Sequence, residues 1–340
     1  MIEFGLIYDF RNPPEWETPA AELYAETLDH IQAAEAIGFP IAWLTEHHFI
    51  DDSYLPSCLA MAAAVAARTK SITIGTAVLL LPLHDPIRVA EDGAVVDAIS
   101  GGRLRLGVGL GYKGEEFGSF GINLKHRPRR MDEGIEVIRK AWSEGPSSFA
   151  GRHFNFSDIS VTPKPVQKPL PEIWVAGRSE PAVRRAAKLG DGLIAGGGPE
   201  LYEIYRSARA EAGATGPASI AAFGGSYAAE DPEKANAECG PHSAYRARRY
   251  AEWYGQAGDL ESDRTWLQAL ESGSAPEAER ALFNAFRTPD EVVEEVRELE
   301  AAGVTSLLFF GTFPGLRPSA TIPYLETLAN KVIPVINGTG

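Results

Sequence analysis

Short apolar runs alternate with longer helical stripes along most of this chain. Ile2–Tyr8, Ile41–Thr45, Ile72–Leu81, Leu104–Val108, Glu172–Ala176, Gly192–Ala195, Ser219–Phe223 and Thr305–Phe310 are brief and rich in strand formers. Such runs suit strands of a parallel sheet covered on both faces. A helix is predicted after nearly every one. In Ala20–Ile37, Leu23, Leu28, Ile31, Ala34 and Ile37 fall near helical spacing, and Gly38 stands where a C-cap glycine belongs. Pro56–Arg68 is Ala-rich, Pro86–Ile99 opens on a proline, and Pro128–Trp142 carries Met131, Ile135, Ile138 and Trp142 on one stripe. Glu180–Leu189, Pro199–Glu211, Thr288–Ala302 and Ser319–Ile333 complete the set, with Thr288 as an N-cap before Pro289 and two acids.

Eight strand–helix units predict an α/β fold, a (β/α)8 TIM barrel in one domain spanning 1–340. An open doubly wound sheet is the alternative, and the strand count disfavours it. Two stretches break the rhythm. One, about 149–171, alternates at His153–Phe156 and carries three prolines, which predicts a small hairpin excursion. The other, about 227–288, follows the seventh barrel strand. It is rich in Glu, Arg and Ala, with aromatics at Tyr245, Tyr250, Trp253, Tyr254 and Trp266, and reads as a helical lid.

Composition narrows the functional classes. A formal net charge of −14 argues against nucleic-acid or anionic-membrane partners, both of which reward clustered Lys and Arg. The apolar run around Ala77–Leu83 is far shorter than the roughly 20 residues of a membrane helix. Cys58 and Cys239 give neither a disulfide framework nor a spaced metal site. With no signal-peptide pattern at the start, the expectation is a cytoplasmic protein.

The chemistry concentrates where Ile41-Ala-Trp-Leu-Thr ends in Glu46, His47 and His48. Strands of a barrel deliver chemistry to their carboxyl edge, and a histidine titrates near neutral pH. A joint metal site for His47 and His48 is disfavoured, because adjacent strand residues face opposite ways, and no metal is expected. Other strand ends converge on the same edge: Asp9 and Phe10, Ala77 and Val78, Gly109–Lys113, Gly177–Ser179, Gly224–Ser226 and Gly311–Phe313. The glycines at 107–111 and at 177 would let backbone amides approach a phosphate, and Arg178 adds a fork of donors. The plainer readings are barrel packing for those glycines and helix capping or a Glu180 pair for Arg178. Tyr250, Trp253 and Tyr254 read as a packing stripe, His30 as a surface or packing residue, and His242 as a residue that faces either packing or substrate.

In order and spacing, Thr45-Glu-His-His-Phe49, Gly75-Thr-Ala-Val78 with Leu81-Pro82, Ser100–Gly109, Trp174-Val-Ala-Gly177 and Asp191-Gly192 resemble the bacterial luciferase-like monooxygenases. The resemblance runs from residue 2 to about 333. It implies a barrel that binds FMN, usually as reduced flavin reacting with O2, and that oxidises an aldehyde, ketone or similar small molecule. It implies a separate flavin reductase as partner and a homodimer. It makes His47 the general base or stabiliser, with Glu46 orienting it or touching the flavin. Ala77–Val78 would form a non-prolyl cis bond beneath the ring, Gly109 and Tyr112 would line the cofactor, and Gly177, Arg178 and Ser179 would hold its phosphate. Leu110 departs from the family's usual arginine, so Arg178, Tyr112 or Lys113 would have to substitute. Relatives on this barrel also use F420 for hydride transfer, and others only hold flavin; both remain alternatives.

Overall fold

A computed structural model describes residues 2–224, 226–257 and 286–338 of the chain. Trp266, Gly225 and the stretch 258–285 of the expected lid lie outside the described residues. Twelve strands are described in chain order: β1 Glu3–Tyr8, β2 Ile41–Leu44, β3 Thr73–Thr76, β4 Leu104–Val108, β5 Ser147–Ala150, β6 Asn155–Ile159, β7 Glu172–Gly177, β8 Gly192–Ala195, β9 Ser219–Phe223, β10 Tyr227–Ala228, β11 Phe286–Arg287 and β12 Ser306–Phe310. Eight of them close a barrel in the order β1, β2, β3, β4, β7, β8, β9, β12, with β12 returning to β1. Every pairing around the ring is parallel, in registers such as Gly5 with Ile41 and Glu3 with Ser306. The predicted TIM barrel is therefore the observed one.

Strand alternation divides the apolar residues between two cores. Phe4, Leu6, Ala42, Leu44, Leu106 and Val175 face the surrounding helices. Ile7, Ile41, Trp43, Trp174, Ile194, Ala221, Leu308 and Phe310 fill the barrel. Trp43 and Trp174 dominate that interior, 6.0 Å apart at their ring centroids. They fit because Gly75 and Gly192 stand opposite, where any β-carbon would collide with an indole ring. Arg105 plugs the N-terminal end, bonded to Glu3 and Glu172 at 3.0 Å each and lying over Trp174. Polar chemistry is left to the other end.

The helices begin and stop where the sequence signals them. α1 (Ala20–Ile37) ends at Gly38, whose φ of 110° is open to glycine and costly for other residues. α2 is Cys58–Arg68, and α3 (Pro86–Ser100) starts at Asp85, whose carboxylate accepts from Ile87 N at 2.8 Å. α4 (Gly114–Ser119) is a short helix with no counterpart in the sequence reading. α5 (Arg127–Trp142), α6 (Glu180–Leu189) and α7 (Pro199–Glu211) follow the predicted spans to within a residue. α8 (Pro232–Ala257) lies in the second insertion, and α9 (Pro289–Ala301) opens on a Thr288–Glu291 capping box.

One strand stops well short of expectation. β3 stops at Thr76 instead of running to Leu81; the chain continues through a cis Ala77–Val78 peptide and a short 3-10 turn at Leu81–Leu83. Leu79 still bridges Val108, so the segment leans on β4 without extending the ladder. The hairpin excursion is present as antiparallel β5 and β6. Its turn is held by Glu133 of α5, which accepts from Arg152 N at 2.9 Å and His153 N at 2.8 Å.

Candidate active site

Beyond Leu44 the chain leaves the β2 ladder and bends at His48 and Phe49, and its polar side chains part toward different partners. His47 turns into the barrel mouth. Its Nδ1 lies 2.8 Å from Glu116 Oε1 and its Nε2 lies 3.1 Å from the Tyr112 hydroxyl. The rings of Tyr54, Tyr112 and Trp253 surround it at 5.0–5.4 Å, leaving it 5 % exposed. Glu116 is fully buried on α4 and also accepts from the His48 backbone N–H at 2.9 Å. Its Oε2 has no hydrogen-bond partner among the described residues. A carboxylate on Nδ1 fixes the proton there and leaves Nε2 as the nitrogen that accepts. Burial raises the pKa of the Tyr112 hydroxyl well above its usual range, so Tyr112 stays a neutral donor toward that nitrogen.

Glu46 does not meet His47. The expectation that it orients His47 is corrected: its Oε1 accepts from His48 Nε2 at 2.8 Å and from His84 Nε2 at 2.7 Å. Its Oε2 accepts from Leu80 N at 2.7 Å, with the Cys58 thiol at 3.9 Å. Burial pushes this carboxyl up, but the two imidazoles outweigh it and hold it at about 2. The carboxylate that does orient His47 comes from α4, seventy positions downstream by the sequence numbers of Glu46 and Glu116.

The remaining predicted residues gather around the same mouth. The Ala77–Val78 peptide is cis, as the resemblance implied. Gly109 abuts the Val78 side chain, and its N–H donates to Leu79 O at 2.9 Å, so here the packing reading of the glycine holds. Gly177 ends β7 directly against the first turn of α6, where a β-carbon would come 3.0 Å from Val183 N. Ser179 is the α6 N-cap but its hydroxyl makes no capping bond. Arg178 lies 3.9 Å over the Tyr254 ring, and Lys113 lies 4.6 Å over the neighbouring Trp253. Leu110 packs half-buried against the outer core.

The loop after β1 adds Arg11, which the sequence reading passed over. Arg11 is buried, salt-bridged to Asp52 at 3.2 Å, and sandwiched by Tyr54, Tyr250 and Trp253 at 4.5–5.0 Å. Asp9 pairs with Arg246 of α8 at 3.2 Å, and Arg246 also donates to Thr312 O. These contacts dock α8 across the mouth, so the Tyr250–Tyr254 stripe is both packing and site wall. His242 faces the rim, bonded to Pro314 O at 2.7 Å and stacked near Trp16, away from His47. His30 is a packing residue, held between Tyr8 and Thr321. Glu116 was hidden because α4 is too short for a helical period; its one signal is an acid pair followed by the buried Phe117.

Comparison with known proteins places this geometry. The monooxygenase RslO1 from Streptomyces bottropensis superposes with a TM-score of 0.82 at 25% identity, covering 98% of this chain and 99% of that one. The oxygenase component of the flavin-dependent trigonelline monooxygenase of Acinetobacter baylyi is 30% identical over 179 residues, 52% of this chain and 49% of the relative. An F420-dependent glucose-6-phosphate dehydrogenase of Amycolatopsis mediterranei is 31% identical over 186 residues, 52% of this chain and 55% of the relative. The chain spans about half the length of the curated relatives it matches. In the described residues no helix is long and apolar enough to cross a membrane. The family model for luciferase-like monooxygenases matches residues 2–306, and the chain belongs to that family.

Proposed function

We propose that this protein is a flavin-dependent monooxygenase that receives reduced FMN from a separate reductase and oxidises a small organic substrate with O2. The observation that carries the reading is His47, fixed by Glu116 on one nitrogen and facing Tyr112 with the other in a buried aromatic mouth. The donors present suit a phosphate-bearing ring system. Lys113 and Arg178 sit on adjacent rings of α8, the Ser179 hydroxyl makes no bond within its own helix, and the α6 N-terminus adds backbone dipoles. A guanidinium stacked on an aromatic face keeps its N–H fork directed sideways, the geometry phosphate oxygens accept. Arg178, Ser179 and Lys113 would therefore hold the phosphate that Leu110 cannot reach.

When bound, reduced flavin supplies the electrons that activate O2. His47 Nε2 takes up a proton from substrate or returns one, the kind of transfer that contributes about 10²–10⁴-fold to rate. Glu116 stabilises the ring as it gains charge, and Tyr112 relays or surrenders its hydrogen bond to the incoming group. Tyr54, Trp253 and Tyr250 keep water from the reacting atoms. The name of the Acinetobacter relative, an oxygenase component, supports a two-protein system.

A second reading is hydride transfer with F420, favoured by the 31% identity to the Amycolatopsis dehydrogenase. Anaerobic fluorescence titration with reduced FMN and with F420, followed by air and oxygen-uptake measurement, separates the two. Preferential binding of reduced FMN with O2 consumed on admitting air is the expected result; preference for F420 without O2 uptake replaces the monooxygenase by a dehydrogenase.

A further inference from the structure

Glu46, His48 and His84 form a constellation that the oxidation chemistry leaves unused. Their ligand atoms, one carboxylate oxygen and two imidazole nitrogens, lie within 4.8 Å of one another. All three come from the exits of adjacent strands: Glu46 and His48 from β2, alternating around His47, and His84 from the turn that follows β3. We propose that this trio binds one first-row divalent cation, of the zinc type, and clasps the loop after β2 to the loop before α3.

The chemistry of the donors supports that class. Two imidazoles and one carboxylate are the ligand set of three-ligand zinc and non-haem iron sites, which keep further positions open for water. Hard cations such as Mg²⁺ and Ca²⁺ prefer all-oxygen shells, which this trio does not offer. Bonds of about 2.0–2.2 Å to each donor place neighbouring ligand atoms roughly 3.0–3.5 Å apart, from octahedral to tetrahedral angles. The Glu46 Oε1 distances of 2.8 Å to His48 and 2.7 Å to His84 reach that spacing with a small outward rotation of the rings. Binding turns each Nε2 from donor to ligand, so each imidazole keeps or places its proton on Nδ1 and releases any second proton to solvent.

The surroundings match a built site. Glu46 is held in place from behind by Leu80 N–H on its other oxygen, the kind of outer support that fixes ligating carboxylates. The His48 backbone N–H is tied to Glu116, and its ring lies 4.9 Å from Phe120. His84 is a third exposed, which gives a cation a path from solvent. His47 is excluded because its ring points to the other side, onto Glu116. The clasp would pin the backbone on either side of His47.

The test is titration calorimetry of the purified, chelator-treated protein with Zn²⁺, which needs no flavin. Saturation at one Zn²⁺ per chain is expected, with affinity lowered at least about 10-fold by His84→Ala and by His48→Ala. His153→Ala, whose ring pairs with His126 away from the trio, should leave it unchanged. Should a variant fail to fold, Co²⁺ absorption of the unaltered protein reports the ligands directly: a low-symmetry nitrogen–oxygen spectrum is expected. Absence of saturable binding, equal loss in His153→Ala, or a thiolate charge-transfer band assigning the metal to Cys58 would each overturn the proposal.

Discussion

His47 and His48 leave β2 one residue apart, and each meets a buried glutamate. His47 turns into the mouth, toward Glu116, Tyr112 and the aromatic face of α8. His48 turns to the rim, toward Glu46, His84 and the exposed Phe49 and Phe120. The inner histidine keeps one nitrogen toward the Tyr112 hydroxyl, while the outer one shares a carboxylate with a second imidazole. The chain bends at His48 and Phe49 past the end of β2, and the two rings leave toward different partners. Which carboxylate each one finds is a matter of tertiary packing. Proximity in sequence is thus a poor guide to pairing: Glu46 is next to His47 and serves its neighbour.

The sharpest way to break this division is to remove the inner ring. His47→Ala should lower substrate turnover by about 10²–10⁴-fold while leaving the affinity for reduced FMN within a few-fold. Steady-state turnover together with anaerobic flavin titration checks it; wild-type turnover would strip the inner site of its role. His30 supplies the contrast of a histidine buried without any carboxylate. Burial lowers its pKa from 6.5 to about 4. The folded pKa is depressed, so stability is full above pH 6.5 and declines as pH falls toward 4, by on the order of 3 kcal/mol. Urea unfolding across that window should show the slope in the wild type and its loss in His30→Gln.

Glu116→Gln tests whether the inner carboxylate acts through His47. It should cost about 1.5–3 kcal/mol in kcat with little change in KM, and Glu116→Asp should restore part of it. A parallel loss in KM and thermal midpoint would mark Glu116 as purely structural. The rim counterpart, Glu46→Gln, should read mainly in stability. One amide oxygen cannot accept from Leu80, His48 and His84 as the carboxylate does, a loss of about 1–3 kcal/mol measurable by denaturant unfolding. A midpoint equal to wild type would mean that the rim cluster contributes nothing to the fold.

Much of the architecture was legible from local pattern. Apolar runs, Gly38 after α1, Pro86 at the head of α3 and Thr288 before α9 are short-range signals, and each marked its element. β3 was overextended because Ala77–Leu81 is as apolar as a strand, although its peptide turns out of the ladder after Thr76. At the barrel mouth, the strand-end rule pointed to the segments that carry His47, Ala77, Val78, Gly177 and Arg178. It missed Glu116 and Arg11, which sit on a two-turn helix and in a proline-rich loop without periodicity.

The sequence by itself determined the barrel and the edge that carries the polar groups, while the choice of His47 over His48 came from the family resemblance. Barrel and edge follow from hydrophobic period, turn chemistry and strand alternation, all set within a few residues along the chain. Only the tertiary structure decided that Glu116 orients His47, that Glu46 gathers His48 and His84, and that α8 lays Trp253 and Tyr254 across the site. Apart from Glu46 with His48, those pairings join residues dozens of positions apart, and burial forces each buried polar group to find whichever partner the packed barrel brings within reach.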